Sequence, residues 1–125
     1  MHPFKAYMSM HSELTDEDWS KIEPCLTYKI VQGNRILLKP GDICKHLYFL
    51  ENGTIRYFIV KNNEENTTHV INPPFLFTSP HSFSQKVPSI EGIQAMEESY
   101  LWMISRKDAY QLLKNQSWSN FISSL

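Results

Sequence analysis

His46-Leu47-Tyr48-Phe49-Leu50-Glu51-Asn52-Gly53-Thr54-Ile55-Arg56-Tyr57 is the stretch whose reading decides the fold. Leu47–Leu50 and Ile55–Val60 are β-prone runs, and the Asn52-Gly53 pair between them suits a turn that needs positive φ. The returning run places Ile55, Tyr57 and Ile59 on one face and Arg56, Phe58 and Val60 on the other. Both faces are largely apolar, so this strand is predicted to be central. Outward from the hairpin, similar runs recur at Tyr28–Val31, Arg35–Leu38, Thr67–Ile71, Glu91–Ala95 and Tyr100–Ser105. Gly33-Asn34, Pro40-Gly41-Asp42 and Lys61-Asn62-Asn63 punctuate them, and Asn62–Asn66 reads as one hairpin tip. Short strands so spaced predict an antiparallel β-roll or jelly roll.

Helical periodicity flanks the strands. Thr15 is a good N-cap, Asp16, Glu17 and Asp18 suit the positive end of a helix, and Trp19, Ile22 and Leu26 recur at helical steps until Pro24 and the β-prone Tyr28 stop them. At the other end, Ser105 and Asp108 form a capping pair ahead of the apolar face Ala109, Leu112 and Leu113. Ser117 reads as the cap of a second helix, in which Trp118, Phe121, Ile122 and Leu125 fall at i, i+3, i+4 and i+7. The stripe stops in mid-pattern, which reads as a helix cut from a longer chain. The expectation is one mainly β domain over residues 1–125, with a helix at about 15–25, a roll at about 28–105 and C-terminal helices at about 106–125.

Composition narrows the function. In 125 residues there is room for one core, and 42% apolar with 20% charged residues is the balance of a folded chain. Twelve Lys and Arg against thirteen Asp and Glu give a net charge of −1, scattered along the chain, so no direct nucleic-acid binding is expected of this segment. No stretch has the length of a signal peptide's apolar region or a membrane span, and a cytoplasmic protein without membrane contact is expected. Cys25 and Cys44 have no metal-ligand spacing and read as reduced thiols.

Lys39-Pro40-Gly41-Asp42 resembles the turn that opens the roll of the cyclic-nucleotide-binding domain, and His46–Tyr57 resembles that domain's most recognisable hairpin. Glu91–Glu97 and Leu101–Arg106 are similar to the strands that close it. With the order of helix, roll and two helices, the chain from about Thr15 to Leu125 resembles the effector domain of Crp/Fnr-type transcription regulators. The resemblance implies a small-molecule effector held within the roll, with its occupancy passed to the C-terminal helices. It also implies a homodimer and a helix-turn-helix that would contact DNA, carried by a domain beyond this sequence. Trp118, Phe121, Ile122 and Leu125 would then be the output or dimer helix, packing on the roll or on a second subunit.

Nucleotide-binding members carry a Phe-Gly-Glu element, whose carboxylate holds the ribose, and an Arg-Ala-Ala or Arg-Ser-Ala element, whose guanidinium holds the cyclic phosphate. Laying Pro88–Ala95 on the second element puts Ser89 at the arginine; counting back puts Thr78-Ser79 at the Gly-Glu. Loss of one charged hydrogen-bond partner costs about 1.5–3 kcal/mol, and here both are replaced by hydroxyls. A usual response to cyclic AMP is therefore not expected. Pro73-Pro74-Phe75 also replaces the family's Gly-Asp ahead of this cassette. Phe77, Thr78, Ser79, Ser82, Ser89 and Ile90 are the candidate pocket, and Thr78, Ser79, His81, Ser82 and Ser89 among Phe75, Leu76, Phe77 and Phe83 make a mixture suited to a small, weakly charged or partly apolar ligand. The alternative is a cassette packed on itself without an effector, and both readings stand.

Enzyme chemistry finds little support. A cupin-like metal site needs clustered histidines, and His46, His69 and His81 are scattered, with no two histidines two positions apart. Iron-sulfur sensing needs more cysteines, no Gly-x-Ser-x-Gly elbow occurs, and Glu97-Glu98 are neighbours that point apart or into solvent. No catalytic residue, metal or cofactor is expected. The competing reading from another class is a stand-alone interaction module whose exposed helix stripe recruits a partner.

Overall fold

In a computed structural model describing all 125 residues, eight strands form: β1 Thr27–Val31, β2 Ile36–Leu38, β3 His46–Asn52, β4 Ile55–Lys61, β5 Glu64–Ile71, β6 Phe75–Phe77, β7 Glu91–Ala95 and β8 Ser99–Ser105. They pair antiparallel in two four-stranded sheets, ordered β1-β8-β3-β6 and β2-β7-β4-β5. This is the expected mainly β roll with flanking helices. β4 runs between β7 and β5, as its two apolar faces require, with Ile55, Tyr57 and Phe58 all buried. The turn from β3 to β4 depends on Gly53, at φ +109, where a Cβ would come within 2.7 Å of the Ser99 Cα.

Two local expectations are corrected. The β4–β5 tip is not the whole of Asn62–Asn66; only Asn62 and Asn63 turn, both with positive φ, and Glu64–Asn66 already pair with β4. Asparagine tolerates that conformation, so two residues close the hairpin. Phe75–Phe77 is a strand that Pro73-Pro74 conceals in the sequence; it pairs with Tyr48–Leu50 of β3.

Five α-helices flank the roll: α1 Pro3–Ser9, α2 Asp16–Ile22, α3 Pro80–Gln85, α4 Arg106–Gln111 and α5 Gln116–Ser123. Thr15 and Asp18 form a capping box on α2, and Ser105 caps α4 through the Asp108 N–H. Neither α1 nor α3 is predicted from the sequence. Proline at the first helical position and apolar residues at Phe4, Tyr7 and Met8, spaced i, i+3 and i+4, are the signal for α1. The cap of α5 is Asn115, which accepts from the Trp118 N–H at 3.1 Å, and not Ser117. Asn115 holds the extended backbone that a cap needs, whereas Ser117 lies inside the first turn and donates to Asp18.

α5 is bound into the core through α1. Trp118 and Phe121 are fully buried, and Phe4 packs on Phe49 of β3, on Trp118 and on Phe121, with ring centroids 5.0, 6.4 and 6.0 Å away. The Trp118 indole donates to the Ala109 carbonyl at 3.0 Å, so α5 is also tied to α4. Asp18 joins the same assembly, accepting from Ser117, Thr15 and Asn115, which holds its carboxyl down at about 2.

Candidate functional site

The cassette begins where β6 ends. Thr78 and Ser79 lead into α3, whose last turn is closed by Lys86 in the left-handed conformation, at φ 56, and Val87-Pro88-Ser89 then returns to β7. This brings the two serines of the cassette side by side: the Ser79 and Ser89 hydroxyls lie 3.0 Å apart. Ser89 Oγ donates to the Glu91 carbonyl at 2.7 Å, and since a hydroxyl has one proton, Ser79 is the donor to Ser89. Ser82 Oγ accepts from the Cys44 N–H at 2.8 Å and donates to the Val87 carbonyl at 2.6 Å. Backbone bonds from Gly41 N to Ser89 O and from Ser89 N to Asp42 O fasten the cassette to the loop before β3. Ser79, Ser82 and Ser89 are at most 4% exposed, and each already has its partners.

Beside this closed lattice lies an open groove of about 720 Å³. Its floor is the roll, from Leu47 of β3, Tyr57 of β4, His69–Ile71 of β5 and Phe75–Phe77 of β6. α3 adds Pro80 and Phe83 at one end, and Glu91 of β7 adds the one carboxylate. The roof is helical: Ala109 and Tyr110 of α4, Leu113, then Trp118, Ile122 and Leu125 from α5 and its end. Fourteen of the eighteen lining residues are apolar, and none is lysine or arginine. Burial raises the ionisation of Tyr57 well beyond the usual phenol range, with Glu91 adding to it, so the hydroxyl is a proton donor; its partner is the Thr78 carbonyl.

Of the candidate pocket residues, the groove gathers Phe77 and Thr78. Ser79, Ser82 and Ser89 lie in the lattice beside it, and Ile90 is 86% exposed and lines neither. Of the output-helix residues, Trp118, Ile122 and Leu125 line the groove, while Phe121 faces α1. The Arg106 guanidinium bonds the Phe83 and Ser84 carbonyls at the end of α3 and stacks on Tyr110, and neither Arg35 nor Lys86 reaches the groove. Leu47, Tyr57 and Tyr110 are lining residues that sequence reasoning did not assign to a pocket. Their signal is confined to alternation: Leu47 and Tyr57 belong to the inward sets of β3 and β4. No three His, Cys, Asp or Glu side chains are grouped to hold a metal ion, and no helix is long and apolar enough to cross a membrane.

The family model described as cyclic nucleotide-binding domain matches residues 28–116. Among solved structures, the chain is similar to the Thermus thermophilus Catabolite Activator Protein, with a TM-score of 0.76 at 19% identity over 88% of this chain and 52% of that one. The N-terminal domain of a transcriptional regulator from Streptomyces coelicolor A3(2) gives 0.73 at 18% identity, over 89% of this chain and 79% of that one. DNR from Pseudomonas aeruginosa gives 0.73 at 15% identity, over 89% and 50%. At such identities the likeness is one of fold. The chain thus spans about half the length of the first and third of these proteins. No curated protein matches it in sequence.

Proposed function

We propose, for a chain that belongs to the cyclic nucleotide-binding domain family, a ligand-sensing role of the Crp/Fnr type in which cyclic AMP is not the usual effector. The observation that carries this reading is the groove itself, which has the roll as its floor and α4–α5 as its roof. A ligand acts on a protein only by preferring one arrangement over another, and a molecule in this groove would touch Trp118, Ile122 and Leu125 as well as the roll. Its occupancy would therefore be felt by α5. Transcriptional output, dimer formation and DNA contact would follow through sequence beyond these 125 residues, in a cytoplasmic setting; no catalytic step is assigned. The opposed serines support the departure from cyclic nucleotides, because a buried phosphate beside Ser89 would have no countercharge.

Calorimetric titration with cyclic AMP and cyclic GMP is expected to show no binding below about 1 mM, and micromolar affinity would overturn the effector assignment. The uncharged apolar dye Nile red is expected to bind the folded chain with a blue-shifted emission and to slow amide exchange in α5. Ile122→Arg should abolish dye binding without unfolding the chain, since Ile122 is only partly buried. If Nile red binds the variant equally well, the groove is not the site.

A further inference from the structure

Charge around the groove is one-sided. Glu91 is its single lining carboxylate, half-buried at the start of β7 opposite Ile59 of β4, and no lysine or arginine lines the space. The chain's three ion pairs are Lys5–Asp16, Lys21–Glu17 and Arg56–Glu65, so Glu91 has no cationic partner. Its side chain makes no hydrogen bond either; only its backbone is engaged, both groups with Ser89 Oγ. Glu91 and Tyr57 both line the groove wall. Histidine 69 is the one lining side chain that can become cationic, but it stands exposed on β5, in register with Tyr57 and not with Glu91.

From this arrangement we infer that the groove takes a flat, ring-bearing organic amine, with its ammonium on the Glu91 carboxylate and its apolar body among Tyr57, Phe77, Phe83 and Trp118. The inference rests on the groove being the ligand site, and adds the class of ligand. An anion entering the same space would bring its charge toward Glu91 with no lysine or arginine lining the groove to offset it. A neutral ring system would gain the apolar contact and leave the carboxylate unpartnered. An amine gains both, and aromatic walls add attraction for a cation over a ring face.

Three probes of nearly equal size separate these cases: 1-naphthylmethylamine, 1-naphthylmethanol and 1-naphthoate, titrated calorimetrically against the full chain. The amine is expected to bind about ten- to a hundred-fold tighter than the alcohol, and the naphthoate more weakly than either. In Glu91→Gln the amine should fall to the affinity of the alcohol while the alcohol is unchanged, with far-UV circular dichroism reporting the fold. Equal binding of amine and alcohol by the unaltered chain, or preference for the naphthoate, would overturn the charge assignment and leave the groove reading intact. Failure of all three probes together with Nile red would overturn both.

Discussion

The serine lattice, fastened to the loop before β3, and the groove under the C-terminal helices lie side by side, and they differ in what they leave open. In the lattice, every hydroxyl is buried and engaged: Ser79 with Ser89, Ser89 with Glu91, Ser82 with Cys44 and Val87. In the groove, rings and aliphatic chains face an open space, and the single carboxylate has no partner. Buried hydroxyls are costly unless bonded, so the stable arrangement for Ser79 and Ser89 is to satisfy each other. Apolar surface has no comparable way of closing locally, and covering it needs a shape that fits. The serine cluster is closed structure, while the groove keeps an open apolar surface.

The strongest way to break the comparison is to remove the roof. Trp118→Ala would delete a fully buried indole and its bond to the Ala109 carbonyl, leaving the lattice untouched. Such a truncation costs about 3–5 kcal/mol, a large part of the roughly 5–15 kcal/mol that holds a domain together. Urea denaturation should show that loss, and Nile red binding should go with it. A smaller effect is expected in the lattice. Ser82→Ala strands the Cys44 N–H and the Val87 carbonyl, for about 1–3 kcal/mol. Ser79→Ala should cost about 1 kcal/mol or less, since Ser89 keeps its bonds to Glu91. Both serine variants should bind Nile red as before; a loss of dye binding in Ser79→Ala would mean that the two regions are not separable.

Why the strands were legible and the site only partly so follows from range. The roll is written in local signals: Asn52-Gly53, Asn62-Asn63 and the two-residue alternation of Ile55–Val60 each decide a piece of backbone. The serines at 79 and 89 could be singled out as expected departures from the family's pattern, by a short gapless comparison. Their mutual hydrogen bond could not, since it depends on how α3 brings residues ten positions apart together. The groove is less legible still. It combines Leu47, Tyr57 and Tyr110, whose local patterns do not mark a pocket, with residues of α5 far along the chain from β3 and β4 that only the fold brings to the same space. Ile90 shows the converse: adjacency to Ser89 suggested a pocket, but it stands in the bend before β7 and is exposed.

Acid offers the gentlest separation of the two regions, because each has its own histidine. His2 caps α1 by accepting from the Phe4 N–H at 3.1 Å and lies between the Trp19 and Trp102 rings, on the side that seats the roof. His46 belongs to the lattice side, where its carbonyl accepts from Thr78 Oγ1 at 2.8 Å. Burial lowers the proton affinity of both rings; Glu23 and Glu51 oppose this at His2 without reversing it, and Lys29 and Lys45 reinforce it at His46. The unfolded chain therefore binds protons more readily than the folded one below the free histidine value of about 6.5. Stability is fully present above that pH and declines as the pH falls toward the lowered folded values. Asp16 and Asp18, whose carboxyls are depressed, act only in the more acidic range below about 4. The melting temperature is expected to drop by about 1–3 °C between pH 7.5 and pH 5.5. His2→Asn keeps an acceptor for the cap but cannot titrate, so it should remove the roof's share of that slope and leave the share from His46. An unchanged slope in His2→Asn would show that the hold of α1 on α5 does not depend on the charge of its cap.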